Sequence, residues 1–525
     1  MAYCLATSLP MHTAVAQFMR DSSTVWLASA GSEGERYLRL LQVAGIAQET
    51  QWSVRPFSGH ELRRLLPGDA AHPWSPKLAG APPRLAWFRF VQPELTGIFN
   101  SRFPYGMNDG PVWAGRGLTT SVMGGLDAGF GPFELTIAPQ VFRAENWAFG
   151  IAPNGMSGPQ AFGDPISPRF IDLPQRFGDN AYQRFDAGQS TVRVRLLGVT
   201  VGASTANEAW GPSLESPFLL GNNAAGFPHL FVGTDGTLGL GPLRASVRVI
   251  AGRLDQSPYS PVSLSARRYL TGAIVAVGVR QIPGLEVGAA RLFHNAWPDS
   301  GVGVGEVLSQ LLKNPFKVRL SKQLGNDGSE PDNQIASLFA RWIVPGAGIE
   351  LYGEMGREDN AYDLRDFLVE PDRDMSYSLG FQRVWKRANG SLLAIRGEVL
   401  NSAASHLASA RVPAPPYVHE PITQGHTQLG QVLGAPGAYG GGAGLVAIEW
   451  LTSSGRRTIS WRRTVREPLQ FSLPKDVVHA LTFDWLLFRS RIDLSPEATL
   501  AYELNRVSAS DALNVRAAMT AQVHW

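Results

Sequence analysis

The chain has one cysteine, Cys4, so it can build neither a disulfide framework nor a CxxC metal site. It also lacks any run of ~18 apolar residues that would cross a bilayer as a helix. That absence leaves a membrane barrel open, because only alternate residues of such a barrel face lipid. Charged residues make up only 17%, and the excess of +3 is too small and too scattered to mark a nucleic-acid surface. Lysine is nearly missing: six of the 47 basic residues are Lys, so arginine carries the positive charge. Arginine suits bidentate contacts to carboxylates, which points to an acidic partner.

Catalytic signatures are absent as well. There is no GxSxG elbow, no Walker loop and no HExxH. His60 and Glu61 begin like the last of these, but Arg64 stands where the second histidine belongs, so they read as first-turn helix residues. The acidic loop Asp359–Glu370 fits a calcium loop at three places, yet Ala361 and Leu364 replace a ligand and the obligatory glycine. Gly301, Gly303 and Gly305 precede a short loop helix over Val307–Lys313, without the strand a nucleotide-binding turn requires. The expectation is a non-enzyme with no cofactor, no metal and no nucleic-acid partner.

What the chain does have is glycine (56), proline (37) and 10% aromatics, the profile of many short strands and turns. Residues 1–16 read as the remnant of a signal peptide, with Ala14-Val15-Ala16 as the cleavage pattern. No Lys or Arg precedes Arg20, so the true start of that signal is expected further upstream. Residues 17–83 read as a small helical domain and linker. Ser32 with Glu35 and Ser58 with Glu61 form capping boxes, and Tyr37, Leu38, Leu41 and Val43 give an apolar stripe. Gly45 is placed to end the first helix, and 71–83 is a Pro/Ala-rich linker.

From residue 84 to 525 the pattern changes to period two. Val91, Leu95 and Phe99 alternate with Gln92, Glu94, Thr96 and Asn100; Leu118 and Val122 alternate with Thr119 and Ser121. A soluble sandwich would alternate too, but the connections discriminate. Tight turns such as Gly131-Pro132, Gly241-Pro242, Asn389-Gly390 and Ser453–Gly455 alternate with long loops, the longest over 143–189, 297–333 and 403–440. Short turns on one rim and long loops on the other are the pattern of an up-and-down membrane barrel. The count is about 18 antiparallel strands, an all-β transmembrane barrel. An even count puts both barrel ends on the short-turn rim and the helical domain in the periplasm beneath it.

The last strand, Ala512–Trp525, is expected to close the barrel against the first near Val91–Phe99. Asn514, Arg516, Thr520 and Gln522 then share one face, Val515, Ala517, Met519, Ala521 and Val523 the other. Trp525 is read as an interface aromatic and assembly signal. Arg193, Arg195, Arg244, Arg248, Arg396, Glu350, Glu354 and Glu398 are expected to face the lumen, mostly as structural Arg–carboxylate ladders.

Three loops carry the most specific text: NSRFPYGMNDGPVWAGRG from Asn100, NEAWGPSLESPFLLGNNAAGFPHL from Asn207 and YVHEPITQGHTQLGQVLG from Tyr417. In this order within such a barrel they resemble the Wzi capsule-assembly family. The family's W-G-P-G appears here as Trp210-Gly211-Pro212-Ser213, and Gly221 replaces the usual serine before N-N-A. The resemblance implies an 18-stranded barrel with a periplasmic helical bundle, located in the outer membrane of a Gram-negative-type bacterium, that acts as a lectin for capsular polysaccharide. It also implies outer-membrane lipids and the polysaccharide export machinery as partners; the barrel is expected to be a monomer.

The residues of these loops fit sugar binding. Trp113 and Trp210 offer faces for sugar C–H surfaces. Asn108, Asp109, Glu208, Asn222, Asn223, Gln424, His426 and Gln428 offer donors and acceptors for hydroxyls. Arg102 and Arg116 suit uronic-acid carboxylates. The same residues could instead pin the loops into the lumen, the reading preferred for Asn222-Asn223 and Gly211-Pro212 because these types supply turns. The alternative function is a diffusion channel for sugars or oligosaccharides; a lumen sealed by its long loops would favour the lectin.

Overall fold

A computed structural model describes residues 29–65, 72–74, 85–262, 267–299, 301–312, 332–344, 346–358, 364–369, 371, 374–402, 415–419, 422–439, 441–466, 474–506 and 510–523. Cys4, the leader pattern at Ala14–Ala16 and Trp525 lie outside the described residues.

Eighteen antiparallel strands close into a barrel when each interrupted run is counted once. The first nine are β1 (Ala86–Asn100), β2 (Gly117–Phe130), β3 (Phe133–Ile137 and Gln140–Ala144), β4 (Tyr182–Asp186 and Thr191–Leu196), β5 (Val199–Ser204), β6 (His229–Thr234 and Leu238–Leu240), β7 (Leu243–Leu254), β8 (Arg268–Val279) and β9 (Leu285–Ala296). The second nine are β10 (Asp332–Val344), β11 (Ile349–Glu358), β12 (Met375–Lys386), β13 (Leu392–Asn401), β14 (Gly441–Thr452), β15 (Gly455–Arg466), β16 (Asp476–Leu487), β17 (Ile492–Asn505) and β18 (Ser510–Val523). Closure is by β1 on β18, from Glu94 opposite Gln522 to Asn100 opposite Arg516. Closure leaves the barrel itself without an edge strand among the described residues.

Period-two alternation divides the wall. Leu95 (56% exposed) and Val122 (54%) point outward, where a soluble protein would not tolerate a continuous apolar band and where lipid suits them. On β18, Val515 and Met519 face out while Asn514 and Arg516 are buried inward. Val91 breaks the expected pattern, since it is buried inside rather than sharing the outer face of Leu95 and Phe99. The cause is a register slip between Val91 and Glu94, a β-bulge that a count of alternating residues passes over.

The inward charges pair as expected, but not only along the wall. Arg195 lies 3.3 Å from Glu134, and Arg396 lies 2.7 Å from Glu449. Glu398 instead accepts from the backbone N–H groups of Leu214 (2.9 Å) and Ser216 (2.8 Å), which belong to the loop between β5 and β6. Arg248 reaches Glu208 of the same loop at 2.6 Å. These side chains hold material inside the barrel.

Part of that material is the N-terminal segment. Helix α1 (Glu33–Val43) starts where the Ser32 hydroxyl accepts from Glu35 N–H, and Gly45, at φ +67°, follows its end. Helix α2 (Gly59–Leu65) starts on a reciprocal box, Ser58 N–H to the Glu61 carboxylate (2.5 Å) and Glu61 N–H to the Ser58 hydroxyl (3.1 Å). Tyr37, Leu40, Leu41 and Val43 bury against Ile343, Val384, Leu392, Leu451 and Leu486, all at strand ends beside the short turns. The segment therefore fills the short-turn mouth from within instead of hanging beneath it. Nor is 71–83 a free tether throughout: Trp74 is fully buried, stacks on Tyr37 at 3.7 Å and donates to the Thr452 carbonyl at 3.0 Å.

The other part comes from the long-loop rim. Phe218, Leu219, Leu220, Ala224 and Phe227 form one buried cluster with Tyr417, Leu433 and Tyr439 and with wall residues such as Ile274, Leu292 and Ile335. Phe218 lies so close to β11 that a Cβ on Gly356 would come within 2.0 Å of its ring. Burying such a side chain contributes roughly 1.5–3 kcal/mol. Inside the barrel the two fillings meet, as Val54–Arg55 pairs with Ala209–Trp210 in a two-stranded sheet. Short helices α3 (Val304–Leu311) and α4 (Leu364–Val369) ride on other long loops.

Candidate functional site

The first long loop, 101–116, is clamped at the seam where the barrel closes. Asn100 donates to the carbonyls of Tyr105 and Ala114, both at 3.1 Å, and Asn514 accepts from Arg102 N–H at 2.8 Å. The two asparagines join at 3.0 Å. Further in, Asn108 sits at φ +59°, a backbone asparagine tolerates, and donates to the Glu215 carbonyl at 3.0 Å. Asn222 donates to the Asn108 carbonyl at 2.9 Å, and Asn223 to the Val432 carbonyl at 2.9 Å. Asn222 and Asn223 thus bond to other loops, rather than only to the local backbone as their residue type suggested.

This clamping leaves a pocket of about 110 Å³ lined by Tyr105, Asn108, Asp109, Trp113, Asn223 and Gln431. Four residues picked out from the sequence therefore converge there. Trp113 is half-buried, fixed by Phe177 (ring centroids 5.0 Å) and Tyr182 (6.2 Å), and leaves part of its surface free. Asp109 lies 3.8 Å from Arg516. Burial pushes the Asp109 carboxyl up, against the pull of Arg516 and Arg462. Burial would also raise Glu215 nearby, but Arg396 and Arg462 win and hold it well below the usual carboxylate range.

Two candidate arginines stand outside the pocket. Arg102 is exposed at the rim; Arg116 is half-buried and donates to the carbonyls of Ser101 (3.1 Å) and Ala148, tying the first long loop to the second. Sequence reasoning passed over three neighbours. Tyr105 lines the pocket from within the loop already singled out. Arg506 lies 4.5 Å from the Phe103 ring and 5.5 Å from that of Phe149, and only the fold brings it there from the far end of the chain. Exposed Trp147 meets lipid-facing Phe99 edge-on at 6.2 Å, so it belongs to the outer aromatic belt rather than to a sugar site.

The remaining five candidates sit inside the filling. Glu208 is buried and accepts from Arg248, His229 (3.2 Å) and the Trp210 indole (3.1 Å). Trp210 itself is fully enclosed in the loop cluster. His426 joins His294 at 2.7 Å, Gln424 donates to Gln256 at 2.9 Å, and Gln428 accepts from Asp255 N–H at 2.8 Å. Their hydrogen-bonding groups are spent within the protein, so the structure separates these five from the pocket. Among the described residues, no group of three or more His, Cys, Asp or Glu side chains is placed to hold a metal.

A closed eighteen-stranded barrel with an apolar outer band defines an outer-membrane β-barrel protein. Within that class, a family model described as capsule assembly protein Wzi matches residues 131–516, and the chain belongs to this family. The Escherichia coli outer-membrane protein Wzi, described as a carbohydrate-binding β-barrel involved in group 1 capsule assembly, is 15% identical. The alignment covers 95% of this chain and 100% of that one, with a TM-score of 0.62. Two further solved structures match with lower scores: OpdQ of Pseudomonas aeruginosa is 7% identical over 82% of this chain and 96% of its own (TM-score 0.38). OccAB2 of Acinetobacter baumannii is 7% identical over 83% and 97% (TM-score 0.40). No curated protein matches the chain.

Proposed function

We propose that the protein is a non-enzymatic lectin of the outer membrane that binds acidic capsular or surface polysaccharide and anchors or organises it at the cell surface. The observation that carries this reading is the occupied lumen. Bulky side chains from the loop at 205–228, packed with Tyr417 and Leu433, fill the barrel from the long-loop rim, and α1 fills the opposite mouth. A barrel filled from both ends serves as a scaffold that presents its outer loops. The pocket beside Trp113 offers an aromatic face and amide groups for a sugar ring, and Arg102 and Arg116 on the same loop, outside the pocket, supply the positive charge that suits a uronic-acid polymer. The filled short-turn mouth would face the periplasm and the export machinery, and the protein would act as a monomer.

A diffusion channel for sugars is the second reading, and the cavity of about 350 Å³ that remains inside the wall favours it. A glycan-binding screen with the organism's own surface polysaccharide, run beside conductance in planar bilayers, separates the two. Polymer capture with little current supports the lectin; steady porin-like current without capture would replace it by the channel.

A further inference from the structure

The β-bulge in β1 aims a side chain. Val91 faces Gly125 and Glu94 faces Met123, so Gln92 and Pro93 together oppose only Gly124. Two successive side chains, Val91 and Gln92, are thereby buried on the inner side, at 3% and 8% exposure. Pro93, lacking an N–H, fits the unpaired position. Bulges recur where a strand must re-aim a group toward a site.

Gln92 points into the cavity of about 350 Å³, which is bounded by the inner faces of β1, β2 and β18, by Ser29–Gly34 and by the turn at 108–112. Its Nε2 is buried and has no hydrogen-bond partner. A buried donor left unmade costs roughly 1–3 kcal/mol, and a rotation of the Gln92 side chain that brings Nε2 to a ligand acceptor in the cavity would offset it. Other walls carry amides that already make one bond each or more within the protein, Gln140 to Ser121, Gln189 to Asn207, Gln522 to Glu94 and Asn222 to the Asn108 carbonyl, and an amide has two N–H donors and two acceptor lone pairs in all. The ionic lining residues are Glu33, Glu94 and Asp109, all acids, with no Lys, Arg or His among the described residues that line it. Amides paired with hydroxyls match vicinal sugar hydroxyls, which both donate and accept. Arg456 holds Glu33 (2.8 Å) and Arg516 lies 3.8 Å from Asp109, so the Glu94 carboxylate, which accepts from the Gln522 amide at 2.8 Å, is the wall charge that disfavours an anionic sugar. The volume falls in the ~300–1,000 Å³ range of small-molecule sites.

We infer that this cavity is a second saccharide site, inside the lumen, for one or two uncharged, hydroxyl-rich sugar units. It adjoins the outer pocket, with which it shares Asn108, Asp109 and Val112 as a wall, and its ligand does not depend on that pocket's role. The ligand is either a free neutral sugar or a neutral unit of the surface polymer.

The test uses the full chain in detergent micelles with Ser121→Cys, in the cavity wall, on a Cys4→Ser background. The rate of thiol modification by a small methanethiosulfonate reagent is measured with the methyl glycosides of glucose, galactose and mannose, with glucuronate, and with the intact polymer. Saturable slowing by a neutral glycoside, absent with glucuronate, is the expected result. Slowing by the polymer alone supports the site and assigns it to a unit of the polymer. Gln92→Leu should abolish the protection while keeping the heat-modifiable gel mobility of a folded barrel. Should Ser121→Cys fail to fold, Ser495→Cys replaces it. Protection by none of the neutral sugars or the polymer, equal protection by glucuronate, or full protection in Gln92→Leu would overturn the inference. Failure of polymer capture in the glycan screen would leave this result standing, because the thiol reports only on the cavity.

Discussion

Arg39 on α1 and Glu350 on β11 form an ion pair 3.0 Å apart with both side chains buried, so a helix from the N-terminal segment is bonded to the inside of the barrel wall. Arg341 of β10 also pairs with Glu350 and reaches Gln42 of the helix at 2.7 Å. Removing Arg39 leaves Glu350 paired with Arg341, so the cost falls below the ~3–5 kcal/mol of a buried charge left alone, but it takes away the helix's ionic bond to the wall. Arg39→Ala is expected to undock the segment, exposing 33–65 to trypsin while the strands stay folded; Arg39→Met, which refills the volume, should do so less. Protease resistance equal to wild type in Arg39→Ala would remove the pair as the anchor.

The wild-type protein in a planar bilayer should pass little current. Replacing residues 214–220 by a short Gly/Ser linker removes Phe218, Leu219 and Leu220 from the interior, and larger single-channel steps should appear. If excision leaves conductance unchanged, the loop is not what obstructs the lumen.

Trp113 forms one wall of the outer pocket and Arg116 holds the adjoining loops. Trp113→Ala combined with Arg116→Ala is expected to weaken retention of acidic polysaccharide about tenfold, equivalent to roughly 1.4 kcal/mol. Surface-plasmon titration with the native polymer reads the change, and circular dichroism checks the strands. Equal affinity in the double variant takes both residues out of the site.

Asp109 sets a pH dependence. Its carboxyl titrates above its ordinary value of 3.8 because burial penalises the charge more than Arg516 and Arg462 relieve it. For an acid with a raised folded-state value, the contribution to stability is fully present below 3.8 and is lost as pH rises through the raised value. The same proton removes a negative charge from the pocket wall. Binding of an acidic polymer should therefore strengthen as pH falls through that value, and Asp109→Asn should bind more tightly at pH 7 with the pH dependence flattened. An unchanged profile in Asp109→Asn would assign the titration to another group.

The barrel was legible because its wall obeys a local rule. In β18 the burial of Asn514 and Arg516 and the exposure of Val515 and Met519 follow from the pleat alone. Local rules stop at the bulge, where one extra residue reverses the face of Val91. They also stop at the loops. Glu208, His426 and Gln428 carry the donors and acceptors of a sugar site, yet their partners Arg248, His294 and Asp255 lie on or beside strands far away in sequence. Asn108, Asp109, Trp113 and Asn223 converged because the first long loop lies against the Asn222–Asn223 turn. Nothing in the spacing of those residues distinguishes a loop that turns outward from one that turns in.

The pairing of Val54–Arg55 with Ala209–Trp210 bears on how such chains can be recombined. Arg55 also donates to the carbonyls of Gly211 (2.9 Å) and Ser213 (3.2 Å) and to Glu35 (2.7 Å), so one side chain spans helix and loop. A chimaera that imports either stretch alone from a relative brings a surface shaped for a different counterpart. The two must be exchanged as a set, together with the wall residues that grip them, and loop grafting to retarget the outer face has to leave 209–213 in place.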